Sequence, residues 1–356
     1  MVEAVILAGG LGTRLRPLTD RRPKHLLPVG GVPFLQHQLA KLAAVGIEHV
    51  VLATSYHAAD FEPVFGDGSA LGLALDYMTE TEPLGTGGGL RNAASALRGA
   101  ADDRVVVLNG DQLSGHDIAA QLKHVDATGA ELSLHLVEVP DPTAFGCVPT
   151  DADDRVVAFL EKSPDPVTDQ INAGCYVFRR GVIDAIPAGQ VVSLERETFP
   201  GLLRDGAMVV GYRESAYWRD VGTPQALVDA SCDVVLGVAS SPAYQHPPSE
   251  RLIDPAADVA RPELVTGGSA IGPGAQVAAS AVLEASVVMA GARLEDGVRL
   301  VGSVVGPGAR VGVRTRLRNV TVGDNAAIGA DCELSDDTRV PCDAVVPDGS
   351  TRLTPA

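Results

Sequence analysis

Glycines and cationic side chains are concentrated at one place near the N-terminus. The apolar run Val5-Ile6-Leu7-Ala8 leads into Gly9-Gly10-Leu11-Gly12-Thr13-Arg14, and Lys24 follows further along. Glycines permit positive φ angles and a close approach of the backbone to a ligand. Backbone N–H groups in such a turn form an anion-binding concavity, and a guanidinium group matches phosphate oxygens. The pattern predicts a loop that binds a polyphosphate at the carboxyl end of a strand.

This loop differs from two common phosphate-binding motifs. The dinucleotide fingerprint would need a glycine where Leu15 stands, and the P-loop pattern does not occur. A glycine-rich turn is weak evidence by itself, so an ordinary tight turn between strand and helix is the alternative for this segment alone.

Three further segments carry groups that suit a phosphorylated substrate. Glu82-Pro83-Leu84-Gly85-Thr86-Gly87-Gly88-Gly89-Leu90 joins a strand to a helix, so its N–H groups would face a ligand and its glycines would let a flat base lie against the main chain. Lys162 can pair with a phosphate, while Glu161 and Asn172 suit the hydroxyl groups of a sugar. Taken alone, the glycine-rich segment is also consistent with a flexible turn, and Glu161-Lys162 with an exposed strand edge.

Two aspartates indicate a metal site. Asp111 ends the apolar run Val105–Leu108, which places a carboxylate at the ligand-binding edge of a sheet. Asp220 lies in Tyr217-Trp218-Arg219-Asp220-Val221-Gly222-Thr223-Pro224. Mg²⁺ prefers one or two carboxylates together with water and substrate phosphates. We expect Asp111 and Asp220 to bind Mg²⁺ if the fold brings them together.

Alternating patterns over residues 1–235 predict βαβ units and a mostly parallel sheet. The clearest predicted helices are Phe34–Val45 and Leu90–Leu97. The predicted strands are Ala4–Leu7, His49–Ala53, Leu73–Tyr77, Val105–Leu108, Leu132–Val137, Val156–Glu161 and Gly174–Phe178. Residues 236–262, with Ser240-Ser241-Pro242 and Pro247-Pro248, are interpreted as a linker.

The pattern changes over residues 263–356, which contain a sequence repeat. Its aliphatic residues recur at steps of six, sometimes five, with glycines and small residues between them. This is a hexapeptide repeat, which predicts a left-handed parallel β-helix of triangular coils. The aliphatic positions are Ile271, Val277, Leu283, Val288, Leu294, Leu300, Val305, Val311, Leu317, Val322, Ile328 and Leu334.

Composition and charge argue against several classes of protein. The 356 residues carry a net charge of −17, which argues against a nucleic-acid partner. No apolar run reaches the roughly 20 residues that span a bilayer, and the start lacks the features of a secretory signal. Five scattered cysteines without paired spacing favour neither disulfides nor zinc sites. We expect a cytoplasmic protein without a membrane partner.

Taken in order, these segments resemble the sugar-1-phosphate nucleotidylyltransferases, also called nucleotide-sugar pyrophosphorylases. The resemblance covers residues 1–235, and the hexapeptide tail also occurs in branches of that family. The runs Ala144–Thr150 and Asp169–Gly174 and the segment from Phe65 to Gly89 are similar to actinobacterial mannose-1-phosphate guanylyltransferases. The resemblance implies a Rossmann-like catalytic domain that joins GTP to mannose 1-phosphate and releases pyrophosphate.

The same resemblance implies roles for individual residues. Arg14 and Lys24 would contact the triphosphate and Lys162 the sugar phosphate, and Asp111 with Asp220 would bind Mg²⁺. The sugar would lie near Gly146, Glu161, Asn172 and Gly174. The nucleotide would contact residues of the first loop and of the second glycine-rich segment: Leu7, Ala8, Gly9, Gly10, Gly12, Thr13, Gly85 and Thr86.

Three alternatives remain at this stage. His25 stands where the family has a proline, either as a packed or solvent-facing residue or as a sign of another acceptor, such as the cyclitol valienol 1-phosphate of antibiotic biosynthesis. A hexapeptide acyltransferase would need a histidine base, and none follows His246. A catalytically silent regulatory subunit is disfavoured because Arg14, Lys24, Asp111, Lys162 and Asp220 are all intact. The β-helix is predicted to be structural, regulatory or a surface for homo-oligomer formation.

Overall fold

A computed structural model describes residues 1–55, 58–160, 162 and 165–351. The chain forms two compact units, neither of which is continuous in sequence. The first unit comprises Met1–Gly10 and Gln38–Trp218, and the second comprises Leu11–His37 and Arg219–Ala356. The glycine-rich loop is therefore divided after Gly10, and its cationic part belongs to the same unit as the C-terminal repeat.

The first unit is built on a seven-stranded sheet with the spatial order β7-β5-β6-β4-β1-β2-β3. Strand β6 is antiparallel to both of its neighbours, whereas the other adjacent strands are parallel. The mostly parallel mixed sheet predicted from the sequence is thus confirmed. The strands are β1 (Val2–Ala8), β2 (His49–Thr54), β3 (Ala74–Thr79), β4 (Arg104–Asn109), β5 (Leu132–Glu138), β6 (Gln170–Arg179) and β7 (Val209–Arg213).

Helices connect these strands, as the alternating pattern predicts. Asp117 begins α4 by accepting a hydrogen bond from the backbone N–H of Ala120, and Thr223 begins α7 in the same way with Ala226. The helices are α1 (Phe34–Ala44), α2 (Glu62–Phe65), α3 (Gly85–Ala93), α4 (Ile118–Thr128), α5 (Arg180–Asp184), α6 (Phe199–Arg204) and α7 (Pro224–Val235).

The structure differs from the predicted elements in three places. Within the predicted strand Val156–Glu161, the described residues Val156–Leu160 form only isolated bridges, at Val156 and Leu160. Strand β7 was not predicted, because Gly211 interrupts its apolar pattern. Helix α3 begins at Gly85 rather than at Leu90, although glycine is a poor helix former. A tertiary contact of these glycines, described below, accounts for that early start.

The C-terminal repeat forms three parallel sheets, in agreement with the predicted parallel β-helix. Successive strands of one sheet are 17 residues apart over most of the repeat, so each coil comprises two steps of six residues and one of five. All the aliphatic positions of the predicted repeat are at most 5 % exposed. Each coil buries them against its neighbours, which is the main source of its stability.

The strands of the β-helix are short. The first sheet contains Arg251–Ile253, Ser269–Ile271, Val287–Val288, Val304–Val305, Thr321–Val322 and Arg339–Val340. The second contains Asp258–Val259, Gln276–Val277, Arg293–Leu294, Arg310–Val311, Ala327–Ile328 and Val345–Val346. The third contains Val265–Thr266, Val282–Glu284, Arg299–Val301, Arg316–Arg318 and Glu333–Leu334. Two of these strands, Arg251–Ile253 and Asp258–Val259, lie within residues 236–262, the segment interpreted as a linker.

A ladder of buried serines joins consecutive coils at one corner. The hydroxyl oxygen of Ser269 accepts a hydrogen bond from the N–H of Ser286 at 2.9 Å, and Ser286 accepts one from the N–H of Ser303 at 3.2 Å. The oxygen of Ser303 in turn accepts from the N–H of Val320 at 3.1 Å. The serines thus satisfy backbone donors that would otherwise be buried without a partner.

Candidate active site

The carboxyl ends of β1 and β4 form the centre of the predicted site in the first unit. The carbonyl of Leu7 accepts a hydrogen bond from the N–H of Gly110 at 3.0 Å, and Asp111 follows directly as a half-buried residue. Ala8 is buried, whereas Gly9 is half-buried and Gly10 exposed. The hydroxyl of Ser55 donates to the carbonyl of Gly9. Asp111 therefore lies beside the end of β1, as predicted, because neighbouring parallel strands end at the same edge.

Strand β6 brings two predicted sugar-binding residues to the same edge. It runs antiparallel to β4, with Cys175 opposite Leu108, so its first residues lie beside the end of β4. The side-chain oxygen of Asn172 accepts a hydrogen bond from the backbone N–H of Gly174 at 3.1 Å. The backbone N–H of Asn172 donates to the carbonyl of Gly146 at 3.0 Å. Gly146, Asn172 and Gly174 are thus grouped together.

Gly174 has no room for a side chain. Its φ is +72°, and a Cβ atom would lie 1.8 Å from the side-chain oxygen of Gln112. A fully buried phenol supports the same group, because the Tyr176 hydroxyl accepts hydrogen bonds from Asn172 at 2.9 Å and from Asn109 at 3.4 Å. Burial raises the pKa of Tyr176 well above its ordinary value, so the phenol stays neutral and can hold Asn172 in place.

The second glycine-rich segment has a structural role that the sequence analysis did not foresee. The N–H groups of Gly87 and Gly88 donate to the carbonyl of Val192 at 2.8 and 3.2 Å, and a Cβ atom on Gly85 would lie 2.7 Å from that oxygen. Gly87, Gly88 and Gly89 are buried, so their missing side chains accommodate protein atoms rather than a flat base. This close approach explains why a helix forms over glycines.

Gly85 and Thr86 begin helix α3, where Leu84 supplies no side-chain cap. Gly85 is exposed, so its backbone is accessible to a ligand. The hydroxyl of Thr86 donates to Glu195 at 2.7 Å and accepts from the N–H of Leu194 at 2.9 Å. Thr86 is thereby fixed by the segment that follows Val192, and nucleotide binding by Gly85 and Thr86 stays a prediction.

Lys162 is exposed, so its ammonium group is accessible to the phosphate of a ligand. Its partner in the sequence pattern, Glu161, lies outside the described residues. The contribution of both residues to substrate binding stays a prediction.

The second unit holds the cationic part of the loop. The Arg14 guanidinium lies 3.7 Å from the carboxylate of Asp220, with 65 % of the arginine side chain exposed. Gly222 makes this pair possible, since a Cβ atom there would lie 2.3 Å from Arg14 and 2.4 Å from Asp220. Arg14 and Asp220 are thus adjacent within this unit, and an exposed guanidinium can exchange a carboxylate for phosphate oxygens.

The loop that carries Arg14 is closed by short-range contacts. The Thr19 hydroxyl donates to the carbonyl of Gly12 at 2.9 Å, and Gly12 has a φ of +63°. A Cβ atom on Gly12 would lie 3.3 Å from the Cβ of Lys24, so these two predicted residues are neighbours. Thr13 is exposed at the start of a single 3₁₀ turn, Thr13–Leu15.

His25 is a core residue. It is 0 % exposed in the 3₁₀ turn Lys24–Leu26, directly after Lys24. Of the two structural interpretations considered above, the structure supports packing rather than exposure. A side chain without solvent access also has no direct route to a substrate, so His25 gives no support to a cyclitol acceptor.

Gln112, Tyr176 and Gly222 are the residues of the site that sequence reasoning missed. Gln112 follows Asp111 and Gly222 follows Asp220 by two positions, so proximity to a predicted aspartate was the available signal. Tyr176 is part of an apolar strand and carries no local mark of its role.

The acidic groups suit a hard cation. Asp111 and Asp220 both offer carboxylate oxygens, the ligand type that Mg²⁺ prefers, and both are half-buried. No cluster of three or more His, Cys, Asp or Glu side chains that could hold a metal occurs in the described ranges. A site with two carboxylates is a different arrangement, and joint binding by Asp111 and Asp220 stays a prediction.

A mostly parallel sheet with the predicted substrate-binding residues at one edge, followed by a parallel β-helix, agrees with the fold of a nucleotidyltransferase. The family model for nucleotidyl transferases matches residues 3–235, and the model for the GMPPB C-terminal domain matches residues 248–351. The chain belongs to the nucleotidyl transferase family.

Two relatives and one solved structure are similar to this chain. The chain is 54% identical to a mannose-1-phosphate guanylyltransferase of Mycobacterium tuberculosis over 81% of this chain and 79% of the relative. It is 37% identical to a probable mannose-1-phosphate guanylyltransferase 1 of Oryza sativa subsp. japonica over 63% of this chain and 62% of that protein. Among solved structures, HddC of Yersinia pseudotuberculosis complexed with GMP-PN matches with a TM-score of 0.56 and 29% identity, covering 65% of this chain and 98% of HddC.

The part of the chain that the structure describes contains no helix with the length and apolar character needed to cross a membrane.

Proposed function

We propose that this protein is a mannose-1-phosphate guanylyltransferase that converts GTP and mannose 1-phosphate to GDP-mannose and pyrophosphate. The observation that carries the proposal is the 54% identity to the mycobacterial enzyme across both parts of the chain. The adjacent Arg14 and Asp220 and the group of Gly146, Asn172 and Gly174 support it, because they supply phosphate-binding and hydroxyl-binding groups.

In the proposed reaction, an oxygen of the mannose phosphate forms a bond to the α-phosphorus of GTP. The bond from that phosphorus to the bridging oxygen of the β-phosphate breaks, and pyrophosphate leaves with the electron pair. A sugar phosphate is already anionic at neutral pH, so this step needs no base from the protein. Catalysis would rest on positioning and on neutralising charge.

The residues would divide this work. Arg14 would turn from Asp220 to the phosphates and balance the charge that develops on the leaving pyrophosphate, with Lys24 beside it. Lys162 would hold the phosphate of the acceptor, and Asn172 the sugar hydroxyls. Nucleotidyltransferases of this family generally use a divalent metal ion. We propose Mg²⁺ held by Asp111 and Asp220, which would supply positive charge to the phosphates when bound.

The test measures pyrophosphate release with Mg²⁺ for GTP, ATP, dTTP and UTP, each against mannose, glucose and cyclitol 1-phosphates. We expect turnover to be highest with GTP and mannose 1-phosphate. The Arg14→Ala variant, purified in the same way, should lose about 100-fold or more of this activity, which excludes a contaminating enzyme.

Other outcomes identify the alternatives. Turnover only with a cyclitol phosphate would replace the proposed acceptor. Absence of turnover in every mixture, with GTP still bound, would favour a regulatory subunit.

A further inference from the structure

The last coils of the β-helix contact the loop that carries Arg14, and both belong to the second unit. The guanidinium of Arg339 donates to the carbonyl of Arg14 at 2.7 Å and to the carbonyl of Arg16 at 3.2 Å. Arg339 begins the last strand of the first β-helix sheet, whose neighbouring residue Val340 is fully buried in the core. The guanidinium of Arg339 therefore reaches the loop backbone from a strand that is anchored in the β-helix core.

A second contact fixes the loop a few residues further on. Arg22 forms a two-point ion pair with Asp324, one of its hydrogen bonds measuring 3.0 Å, and it also donates to the carbonyl of Leu18 at 3.3 Å. The carboxylate of Asp324 is only 5 % exposed. A buried carboxylate of this kind is strongly destabilised if its partner is removed, so the pair determines where the loop lies.

Two weaker contacts extend the same surface. Arg21 pairs with Asp343 at an exposed position, and the Cys342 thiol lies 3.5 Å from the carbonyl of Pro17. The loop from Arg14 to Arg22 is thus held at several points by residues 324–343.

From these contacts we infer that the C-terminal end of the β-helix positions the Arg14 loop for phosphate binding, with Arg339 and Asp324 as positioning residues. Arg14 itself is 65 % exposed, and its distance of 3.7 Å from Asp220 is too long for a hydrogen bond, so its location depends on its backbone. Two hydrogen bonds from Arg339 fix the carbonyls of Arg14 and Arg16. Misplacement of a reacting group by about 1 Å can reduce a rate by about 100-fold.

The catalytic consequence rests on the proposed function, whereas the mechanical one does not. Arg339→Ala should accelerate hydrogen exchange of the backbone amides in residues 12–19, because local opening of the loop becomes easier. The matched control is Arg314→Ala, which removes another exposed β-helix arginine that pairs with Asp331 and makes no hydrogen bond or ion pair with the described residues of the loop. Exchange in residues 12–19 should be unchanged in the control.

The enzymatic test is a double-mutant cycle. Arg339→Ala should lower kcat by about 10- to 100-fold, and Arg339→Lys, which can still donate to one carbonyl, should recover part of it. In an Arg14→Ala background, Arg339→Ala should have little further effect, because it acts through Arg14. Asp324→Asn should lower kcat in the same direction.

Clear outcomes would overturn the inference. They are unchanged loop exchange in Arg339→Ala, equal loss of kcat with and without Arg14, or the same loss in Arg314→Ala. Inactivity of the unmodified protein would count against the proposed function, and loop exchange would still test the positioning role.

Discussion

Polar groups of the seven-stranded sheet and of the β-helix lie at different places relative to their strands. In the sheet, Asp111 follows the end of β4, and Asn172 lies near the beginning of β6. In the β-helix, charged residues such as Arg293 and Arg310 project from the strands themselves, each next to a buried aliphatic residue. The predicted site residues of the sheet therefore lie together at one edge, whereas the charged residues of the β-helix are spread along its outer surface.

This difference follows from the way each region forms its core. Central strands of the sheet are buried on both faces, as β2 is throughout, so polar groups that a ligand can reach are left to the strand ends. A β-helix coil buries one side of each strand and exposes the other. Its outward positions are free to vary, and Arg339 occupies one of them and contacts the Arg14 loop.

The largest expected effect follows from a substitution in the core of the β-helix. Leu294→Ala removes a side chain that is 3 % exposed, and it should lower the free energy of unfolding by about 2–5 kcal/mol. Arg293→Ala, in the same two-residue strand but exposed, should change it by less than about 0.5 kcal/mol. Urea unfolding of both variants measures the contrast, and equal losses would contradict the separation of core from surface.

The next effect concerns a glycine whose role is set by its neighbours. Gly222→Ala places a Cβ atom within 2.4 Å of both Arg14 and Asp220, so the pair must move apart. We expect kcat to fall by about 100-fold, equivalent to about 2.7 kcal/mol, with little change in the unfolding midpoint. Gly201→Ala in α6 is the control, because its Cβ would lie 3.7 Å from the guanidinium of Arg204, which is an ordinary contact distance. Normal activity in Gly222→Ala would show that the spacing of Arg14 and Asp220 is unimportant.

Acid should affect the sheet unit more than the β-helix. His116 and His135 stack at 3.9 Å, and burial lowers the pKa of His116 to about 3 and that of His135 to about 2, with nearby Lys41 contributing. Both rings are neutral in the folded state, whereas the unfolded chain protonates them below about pH 6.5. Stability is therefore lost as the pH falls below 6.5, by about 1.4 kcal/mol per pH unit for each histidine.

Urea unfolding at pH 7.5, 6.5 and 5.5 measures this slope. His135→Asn should reduce the slope by about half of the combined contribution, and the exposed His246→Asn should leave it unchanged. An identical slope in His135→Asn and in the unmodified protein would show that this pair does not cause the acid sensitivity.

The smallest effect concerns the serine ladder of the β-helix. Ser286→Ala leaves the buried N–H of Ser303 without its acceptor and should cost about 1 kcal/mol of stability. Ser280→Ala provides the comparison, because its hydrogen bonds to Asp296 and Gly297 are exposed to water. If both variants unfold at the same urea concentration, the buried ladder contributes no more than surface hydrogen bonds.

Much of the fold follows from local patterns. Strands β1, β2 and β4 were predicted to within a few residues, because each is an uninterrupted apolar run. The first turn of helix α3 and the whole of strand β7 are not evident from the sequence because glycines weaken their local signals, and contacts with Val192 and Leu136 compensate for that weakness. The twelve aliphatic positions of the repeat were correct because coil spacing repeats along the chain.

The sequence by itself determined the residue types of the site, their attachment to strand ends, and the periodic core of the β-helix. These properties depend on residues close together in the chain. The tertiary structure decided that Gly174 must accommodate Gln112, that Gly222 must leave room for Arg14, and that Arg339 must bond to a loop 325 residues away. Such contacts join segments with no shared periodicity, so packing alone brings them together.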